Sequence, residues 1–426
     1  MTWRKALSQF LIATLLVGAR TMALDQSART ASPPTRLGEL VCEALARNPE
    51  IQAAQRAAEA KRARVPQAKA WSDPTLTLGY GGNILPPYTL MGGDPSSARQ
   101  FTAEQVIPYP GKTRLRGEIA AREADAEATG IDEVSRRVTA EVKEAYFDLY
   151  FTDQSLSTLA KKRQILQELA QVVQIRYSVG KGVQQDVIRA QVELTRLAER
   201  QTMLEQTRRT LEAQLNSVRD LPVDTPVGPA SEVRQSVLMQ TPAEMQSAAE
   251  STFPALRRRQ AMIEGDQLAV NLARKEVRPD FSVGYTYMQR AGMPDMYGFT
   301  FSTSLPIFRR SKQDQAIREA ALNLEAARRS EGNQLTLLRY RVKQELIAMD
   351  AADRLMKLYA QGLVPQSRLA LESSLASYGA GTSDFQTVLS NFTTILEYEL
   401  NYQQQLANHE KALARLEELT GLELVR

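Results

Sequence analysis

The residue types that support enzymatic chemistry are scarce in this sequence. It contains one histidine, His409, and one cysteine, Cys42. With these counts we expect no catalytic metal site, no Ser-His-Asp or Cys-His arrangement and no internal disulfide. We interpret His409 as a surface or packed imidazole on the last helix, and Cys42 as a small apolar residue on a helix face. The sequence therefore predicts a protein that is not an enzyme and has no cofactor.

A glycine-lysine-threonine triplet at residues 111–113 resembles the end of a phosphate-binding loop. That motif needs another glycine five positions before Gly111, and the residue at that position is Val106. We therefore interpret residues 109–113 as a turn that leads from a strand into a helix.

Three methionines, Met288, Met293 and Met296, cluster around the second of two predicted hairpin loops, and Met91 lies in the first. Thioether sulfurs suit Cu(I) and Ag(I). Methionine also commonly fills loop and rim positions, so the pattern leaves both a metal site and ordinary packing open.

The chain consists of two similar halves. A proline, a glycine and a tyrosine of the first half recur in the second half at the same spacing, shifted by 205 residues, so that Pro74 corresponds to Pro279. Further along the chain the shift is 198 residues at Pro108 and Pro306, and 201 residues at Gly180 and Gly381. A repeat of this length constrains the architecture of the whole chain. The pairs are Pro74 with Pro279, Gly79 with Gly284, Tyr80 with Tyr285, Pro108 with Pro306, Tyr177 with Tyr378, and Gly180 with Gly381.

Each half contains one predicted strand hairpin, at about 75–107 and about 280–305. Apolar and small polar residues alternate there with a period of two, over lengths that suit tilted strands crossing a membrane. A soluble sandwich shows the same alternation, but here each hairpin is surrounded by helix. The apolar face holds Leu76, Leu78, Tyr80, Phe101, Ala103, Phe281, Val283, Tyr285, Tyr287, Tyr297, Phe299, Phe301 and Leu305; Glu104 lies on the polar face.

The rest of the chain is predicted to be helical. The first half, 36–216, has helices at about 36–70, 112–176 and 183–216; the second, 241–421, has helices at about 241–277, 310–377 and 384–420. Two short helices match one long helix in length, so each half can form an antiparallel pair about 100 Å long. Apolar residues at steps of three and four predict coiled-coil packing. Residues 217–240, with three prolines, link the halves.

The composition limits the remaining possibilities. A mean hydropathy of −0.34 excludes a bundle of membrane helices. Residues 1–23 have a basic start, a short apolar core at 10–17 and small residues before a cleavage point, which predicts an export signal. Without the three basic residues of this leader, the 53 basic groups fall to 50 against 49 acidic ones, so we expect no binding to nucleic acid.

These features resemble the outer-membrane efflux protein family of the TolC type, over residues 36–421. The resemblance depends on the order of several short motifs in a duplicated chain, none of them specific by itself. The Pro-Gly-Lys turn also resembles the CusC/CzcC-like members that serve heavy-metal exporters. The motifs are Leu37-x-x-Leu40 with Asn48-Pro49, Gln105-Val106-Ile107-Pro108 with Gly111-Lys112, Arg176-Tyr177-x-x-Gly180 with Asp186-Val187, and Tyr378-x-x-Gly381 with Asp384-Phe385.

The resemblance implies a mainly α fold with a small transmembrane β part. Each subunit of a homotrimer would give four strands to a shared twelve-stranded barrel, and the helices would form an α-barrel in the periplasm. A four-stranded sheet has two open edges that lipid cannot satisfy, so closure by other copies is also expected on physical grounds. The implied function is an outer-membrane exit duct for an inner-membrane pump, of the RND type, and a periplasmic adaptor. Ducts for ions, drugs and peptides share this body plan, so the cargo stays open among them, and the resemblance to the CusC/CzcC-like members points to heavy-metal cations.

The family places the adaptor contacts at the two helix-helix turns farthest from the barrel. The docking residues implied here are Tyr177, Gly180, Lys181, Gly182, Tyr378, Gly381, Thr382 and Ser383. Asp186, Asp384 and Glu104 are candidate acids of the gate or lumen. Asp186 and Asp384 also suit the start of a helix, where a carboxylate favours the dipole. Two alternatives stay open: a duct for type I protein secretion, and a periplasmic coiled-coil scaffold without a channel.

Overall fold

The computed structural model describes residues 34–82, 97–290 and 293–425. The predicted leader at 1–23 and Met91 lie outside the described residues. The elements found in the described part are α1 (Leu37–Arg47), α2 (Pro49–Lys69), β1 (Thr75–Gly81), β2 (Ala98–Ile107), α3 (Lys112–Ser178), α4 (Gln184–Val218), α5 (Pro242–Thr252), α6 (Pro254–Lys275), β3 (Phe281–Arg290), β4 (Met296–Thr303), α7 (Gln313–Leu358), a π-helical turn (Tyr359–Leu363), α8 (Val364–Ala380) and α9 (Phe385–Thr420).

The element order of the first half recurs in the second. Each half runs from two helices through a strand hairpin to a long helix and a returning helix. The mainly α fold is therefore confirmed, with four strands in the described part of the chain. The longest helix, α3, has 67 residues, which corresponds to about 100 Å.

Two helices that the sequence predicted as continuous are each broken before a proline. Asn48 separates α1 from α2, and its side chain accepts hydrogen bonds from the Glu50 and Ile51 amides at 2.9 and 3.2 Å. Phe253 separates α5 from α6 directly before Pro254, without a side-chain hydrogen bond to the first amides of α6. A proline disfavours helical backbone in the residue before it, which explains both breaks.

The long helix predicted at 310–377 is also interrupted. It begins at Gln313, and residues 359–363 form a π-helical turn just before Pro365. Proline cannot donate to the carbonyl four residues earlier and clashes with it. The wider π turn accommodates this defect without ending the helix.

The four strands form one antiparallel sheet in the order β1-β2-β3-β4. The register places Phe101 opposite both Leu78 and Tyr287, and Tyr285 opposite Phe299. Tyr285 and Phe299 have ring centroids 5.3 Å apart on an exposed aromatic face. Within the described residues, β1 and β4 are the edges of the sheet and have no partner strand on their outer sides.

The helices pack as the matched lengths predicted. α2 contacts α3 near Glu123 and α4 contacts it near Asp153, while α9 lies beside both α7 and α8. One apolar cluster, around Phe147, Leu215 and Leu413, joins both halves near the middle of α3, and a second surrounds Leu166, Phe385 and Phe392 towards its C-terminal end. Among the helices of the described residues, none is long and apolar enough to cross a membrane.

The linker between the halves is tied to both of them near the first apolar cluster. Ala230 forms a bridge with Thr35, and Ser236 donates to Glu410 through both its amide and its hydroxyl. His409 is buried there, and its Nδ1 lies 3.0 Å from a carboxylate oxygen of Glu410. This agrees with a packed imidazole.

Candidate functional site at the helix turns

The turn from α3 to α4 and the turn from α8 to α9 have the same backbone geometry. Gly180 and Gly381 adopt φ angles of 71° and 78°, a left-handed conformation that favours glycine. The amides of Lys181 and Thr382 donate to carbonyls five residues earlier, at 2.8 and 2.9 Å. This is the Schellman arrangement, which satisfies carbonyls that a helix end leaves free. We refer to residues 176–189 and 377–387 together as the tip.

Arg176 connects the two turns. Its guanidinium donates to the backbone carbonyl of Tyr378 at 2.5 Å and lies 4.5 Å from the centroid of the Tyr378 ring. The same side chain therefore makes a charged hydrogen bond and a cation–π contact with one residue. The end of α3 is in this way fastened to the end of α8.

An apolar core supports the tip from inside. Tyr378 is 6% exposed, and its ring lies 5.8 Å from that of Phe385, the first residue of α9. Val173 and Ala190 contribute from α3 and α4 to the same cluster. All four helices of the tip therefore pack on one another within the single chain.

The two predicted acids both lie at the start of a helix of the tip. Asp384 is the N-cap of α9 and accepts a hydrogen bond from the Thr387 amide at 2.9 Å. Asp186 lies in the first turn of α4, whose N-cap is Val183. Helix capping thus accounts for Asp384 but leaves the Asp186 carboxylate without that role.

The environments of these acids shift their pKa values in opposite directions. Burial raises the pKa of Asp186, and the Asp384 carboxylate adds to this effect while Arg189 opposes it. Hydrogen bonds from the Thr387 side chain and backbone lower the pKa of Asp384. The pair therefore combines a well-stabilised carboxylate with one that is harder to ionise.

The predicted docking residues divide into an exposed group and a supporting group. Tyr177 is 41% exposed, and Lys181 and Thr382 are also exposed. Tyr378 is buried, so it supports the tip from inside rather than presenting a ring to a partner. The exposed surface of the tip also includes Val179 and Val183.

The other candidate residues lie far from the tip. Glu104 is exposed on β2, opposite Thr75 and Gly284, and the full length of α3, about 100 Å, separates it from the tip. Met288 and Met296 are directly opposite each other on β3 and β4, and Met293 lies in the loop between them. Within the described residues, no group of three or more His, Cys, Asp or Glu side chains forms a metal site.

Sequence reasoning missed two basic residues of the tip. Arg176 stands directly before Tyr177 in the first turn motif, and Arg189 follows Asp186 by three residues. The spacing of Arg189 from Asp186 is one turn of helix and was a usable signal. The contact from Arg176 to Tyr378 spans 202 residues, so no local pattern could have indicated it.

Comparison with known proteins finds one family model and several solved structures that resemble this chain. Residues 40–218 match the family model described as "Outer membrane efflux protein". No curated protein matches the chain significantly. Several solved structures share the fold. The outer-membrane channel OprN has a TM-score of 0.77 at 16% identity, covering 90% of this chain and 89% of that one.

Two further structures are similar over almost the whole chain. A structure of CusC, solved in work on its folding and transmembrane channel formation, has a TM-score of 0.78 at 15% identity. The match covers 93% of this chain and 95% of the CusC chain. The open state of the MtrE outer membrane channel of Neisseria gonorrhoeae has a TM-score of 0.75 at 17% identity, with coverages of 92% and 90%. At these identities the structures establish a shared fold.

Proposed function

We propose that this chain belongs to the outer membrane efflux protein family, whose model matches residues 40–218, and that it is the outer-membrane exit duct of a three-part efflux system. The observation that carries the proposal is the combination of two parts in one chain. A four-stranded sheet with an exposed aromatic face is joined directly to helices about 100 Å long. The sheet suits a lipid bilayer, and the helices suit a passage through the periplasm.

The duct would be a homotrimer. A sheet with two unpaired edges leaves backbone donors and acceptors that lipid cannot satisfy. Three copies would close it into a barrel of twelve strands, since each supplies four. The exposed aromatic rings, such as Phe299 and Phe301, would then face lipid, and the small polar residues would face the lumen.

The tip would be the part that meets the other components. It is the end of the molecule farthest from the sheet, and its exposed surface combines Tyr177, Lys181 and Val183. We propose that a periplasmic adaptor docks there and that an inner-membrane pump delivers cargo through it. The chain would perform no chemistry on the cargo.

The chemistry of the chain favours cations as cargo. Asp186 and Asp384 would become a ring of six carboxylates in a trimer, and such rings attract cations. The paired thioethers of Met288 and Met296 suit soft metal ions such as Cu(I) and Ag(I). The proposal therefore includes heavy-metal cations exported by an RND-type pump.

Two measurements test the duct and its cargo. The membrane location is tested by extraction: a barrel stays in the outer-membrane fraction after a high-salt wash and leaves only with detergent. Release by salt would contradict the duct and support a periplasmic scaffold. Export is tested with a deletion strain carrying the wild-type gene or an empty vector. We expect the empty-vector strain to be more sensitive to silver and copper. Sensitivity to drugs alone would overturn the cargo and leave the duct standing.

A further inference from the structure

The two strand-to-helix junctions of the chain are covered to very different degrees. The first junction, residues 107–112, leads from β2 to α3, and its Lys112 is buried. The Lys112 ammonium contacts Asp280 Oδ1 at 2.8 Å, the Arg278 carbonyl at 2.8 Å and Glu276 Oε2 at 2.9 Å. The Tyr109 amide also donates to Asp280 at 2.7 Å. The first junction is thus held by residues 276–280, which lead into β3.

The second junction, residues 305–312, leads from β4 to α7 and is bare in the single chain. Ile307 is 81% exposed and Phe308 is 75% exposed, and Arg309, Arg310 and Lys312 are exposed beside them. Adjacent large apolar side chains that are this exposed typically mark a surface that another molecule covers. A basic and apolar surface therefore lies open directly below the β4 edge.

The segment before β1 is also bare. Trp71 is 56% exposed, and every residue from 71 to 75 is exposed, including Asp73. Its counterpart in the second half, residues 276–280, is mostly half-buried because the first junction covers it. Within the chain, therefore, no segment packs on the second junction, and no junction packs on the segment before β1.

The internal repeat relates these two unmatched surfaces. The 198-residue shift that takes Pro108 to Pro306 takes Lys112 to Arg310. The 205-residue shift that takes Pro279 to Pro74 takes Arg278 to Asp73. The basic residue is retained at the junction, and the segment before β1 supplies its own carboxylate at Asp73.

We propose that the second junction docks on residues 71–75 of a neighbouring copy of this chain, with Arg310 paired to Asp73 of that copy. The contact would be the intersubunit counterpart of the one that Lys112 makes within a subunit, with the carboxylate at Asp73 instead of at the position equivalent to Asp280, which is Thr75. This contact lies where the open β4 edge would meet the open β1 edge of the next copy. The strand pairing and the junction contact would therefore form at the same interface. This inference rests on the proposed trimeric duct and names the residues that join its subunits at the base of the sheet.

Crosslinking tests the contact directly. In a Cys42→Ser background, which removes the only cysteine, Asp73→Cys and Arg310→Cys are combined in one chain and treated with a short bismaleimide. We expect covalent dimers and trimers on a denaturing gel. Each single variant serves as a matched control and is expected to stay monomeric, because identical positions on different subunits lie far apart around a threefold axis.

The native mass of the same detergent-solubilised protein separates the two levels of the argument. A trimeric mass with no crosslinking in the double variant would overturn the junction contact and leave the duct standing. A monomeric mass would overturn both.

Charge reversal provides a second, independent test. Arg310→Glu or Asp73→Arg alone should increase several-fold the fraction of monomer released by mild detergent, and the double reversal should restore the trimer. Arg318→Glu, an exposed position on α7, is the control. Single reversals that behave like Arg318→Glu, or a double reversal no better than the singles, would contradict the pairing.

Discussion

Arg176 and Tyr378 are joined at two points, through a hydrogen bond to the Tyr378 carbonyl and through the face of its ring. Arg176 lies two residues before the end of α3, and Tyr378 lies two residues before the end of α8. The contact therefore connects the ends of two helices that are not joined by a turn. An opening of the tip that separates α3 from α8 has to break it.

Replacing Arg176 with alanine should therefore loosen the tip. A charged hydrogen bond contributes about 1.5–3 kcal/mol and a cation–π contact about 0.5–2 kcal/mol, with the lower values expected at this partly exposed site. We expect cells with Arg176→Ala to take up more of a large antibiotic that the outer membrane normally excludes. Arg200→Ala, at an exposed position on α4, should leave uptake unchanged. Equal uptake in both variants would show that Arg176 does not hold the tip closed.

Replacing Gly180 or Gly381 with proline should abolish export while trimers still assemble. Both glycines have a positive φ, whereas proline fixes φ near −65°. The turn would have to adopt another conformation, which would displace the proposed docking surface. Gly379→Ala is a suitable control, since its added methyl group meets no atom within 4 Å and the backbone there is helical. Metal sensitivity assays on the two proline variants and the control measure export. Normal export in both proline variants would refute the role of the tip.

The two tip acids should affect stability with opposite dependence on pH. Burial raises the pKa of Asp186 above 3.8, so its contribution to stability falls as pH rises through that raised value. The pKa of Asp384 is lowered below 3.8, so its contribution is present above pH 3.8 and is lost as pH falls through the lowered value.

Hydrogen exchange at neutral pH should reveal this difference. Amides near the tip should be better protected in Asp186→Asn than in the wild type, because a carboxylate that is disfavoured in the fold has been removed. Asp384→Asn should protect them less, because it weakens the cap of α9. Changes of the same sign in the two variants would contradict the assignment.

Replacing Lys112 with methionine should destabilise the junction between sheet and helix. The change leaves Asp280 and Glu276 without their buried cationic partner, at a cost of about 1–3 kcal/mol. Arg114→Met, two residues along the same helix, removes only an exposed i,i+4 pair and should cost less than about 0.5 kcal/mol. Thermal unfolding of the purified proteins compares the two variants, and equal midpoints would rule out a special role for Lys112.

Silver binding tests the methionines of the second hairpin. If the thioethers of Met293 and Met296 bind metal, replacing both with leucine should remove a site that calorimetry detects in the wild type. Leucine keeps the apolar volume, so the sheet should be unaffected. Unchanged Ag(I) binding would end the idea of a metal site in this loop.

Much of the fold could be predicted because the sequence states it locally. Alternation with a period of two located the four strands of the described sheet, and the motifs around Gly180 and Gly381 indicated two turns between helices. The breaks at Asn48 and Phe253 were missed because helix propensity on both sides outweighed a single proline in the periodic pattern. The π turn before Pro365 was missed for a related reason, since a proline predicts a defect but not its geometry.

The contacts of the tip could be predicted less well from the sequence. Tyr177 and Tyr378 occupy equivalent places in the two turn motifs, yet one is exposed and the other buried. The difference arises from Arg176 and Phe385, which pack on Tyr378 from other helices. Such a difference depends on tertiary neighbours and cannot be obtained from either motif alone.

The unbroken length of α3 has a mechanical consequence. The helix is fixed at its middle by the cluster around Phe147, and about 30 residues, or about 45 Å, continue from there to the tip. Over such a lever, a rotation of about 5° displaces the far end by about 4 Å. A displacement of that size exceeds the reach of a hydrogen bond. Angular adjustments too small to disturb the packing at the middle would therefore part the contacts at the end and would shift the second apolar cluster, around Leu166, with them.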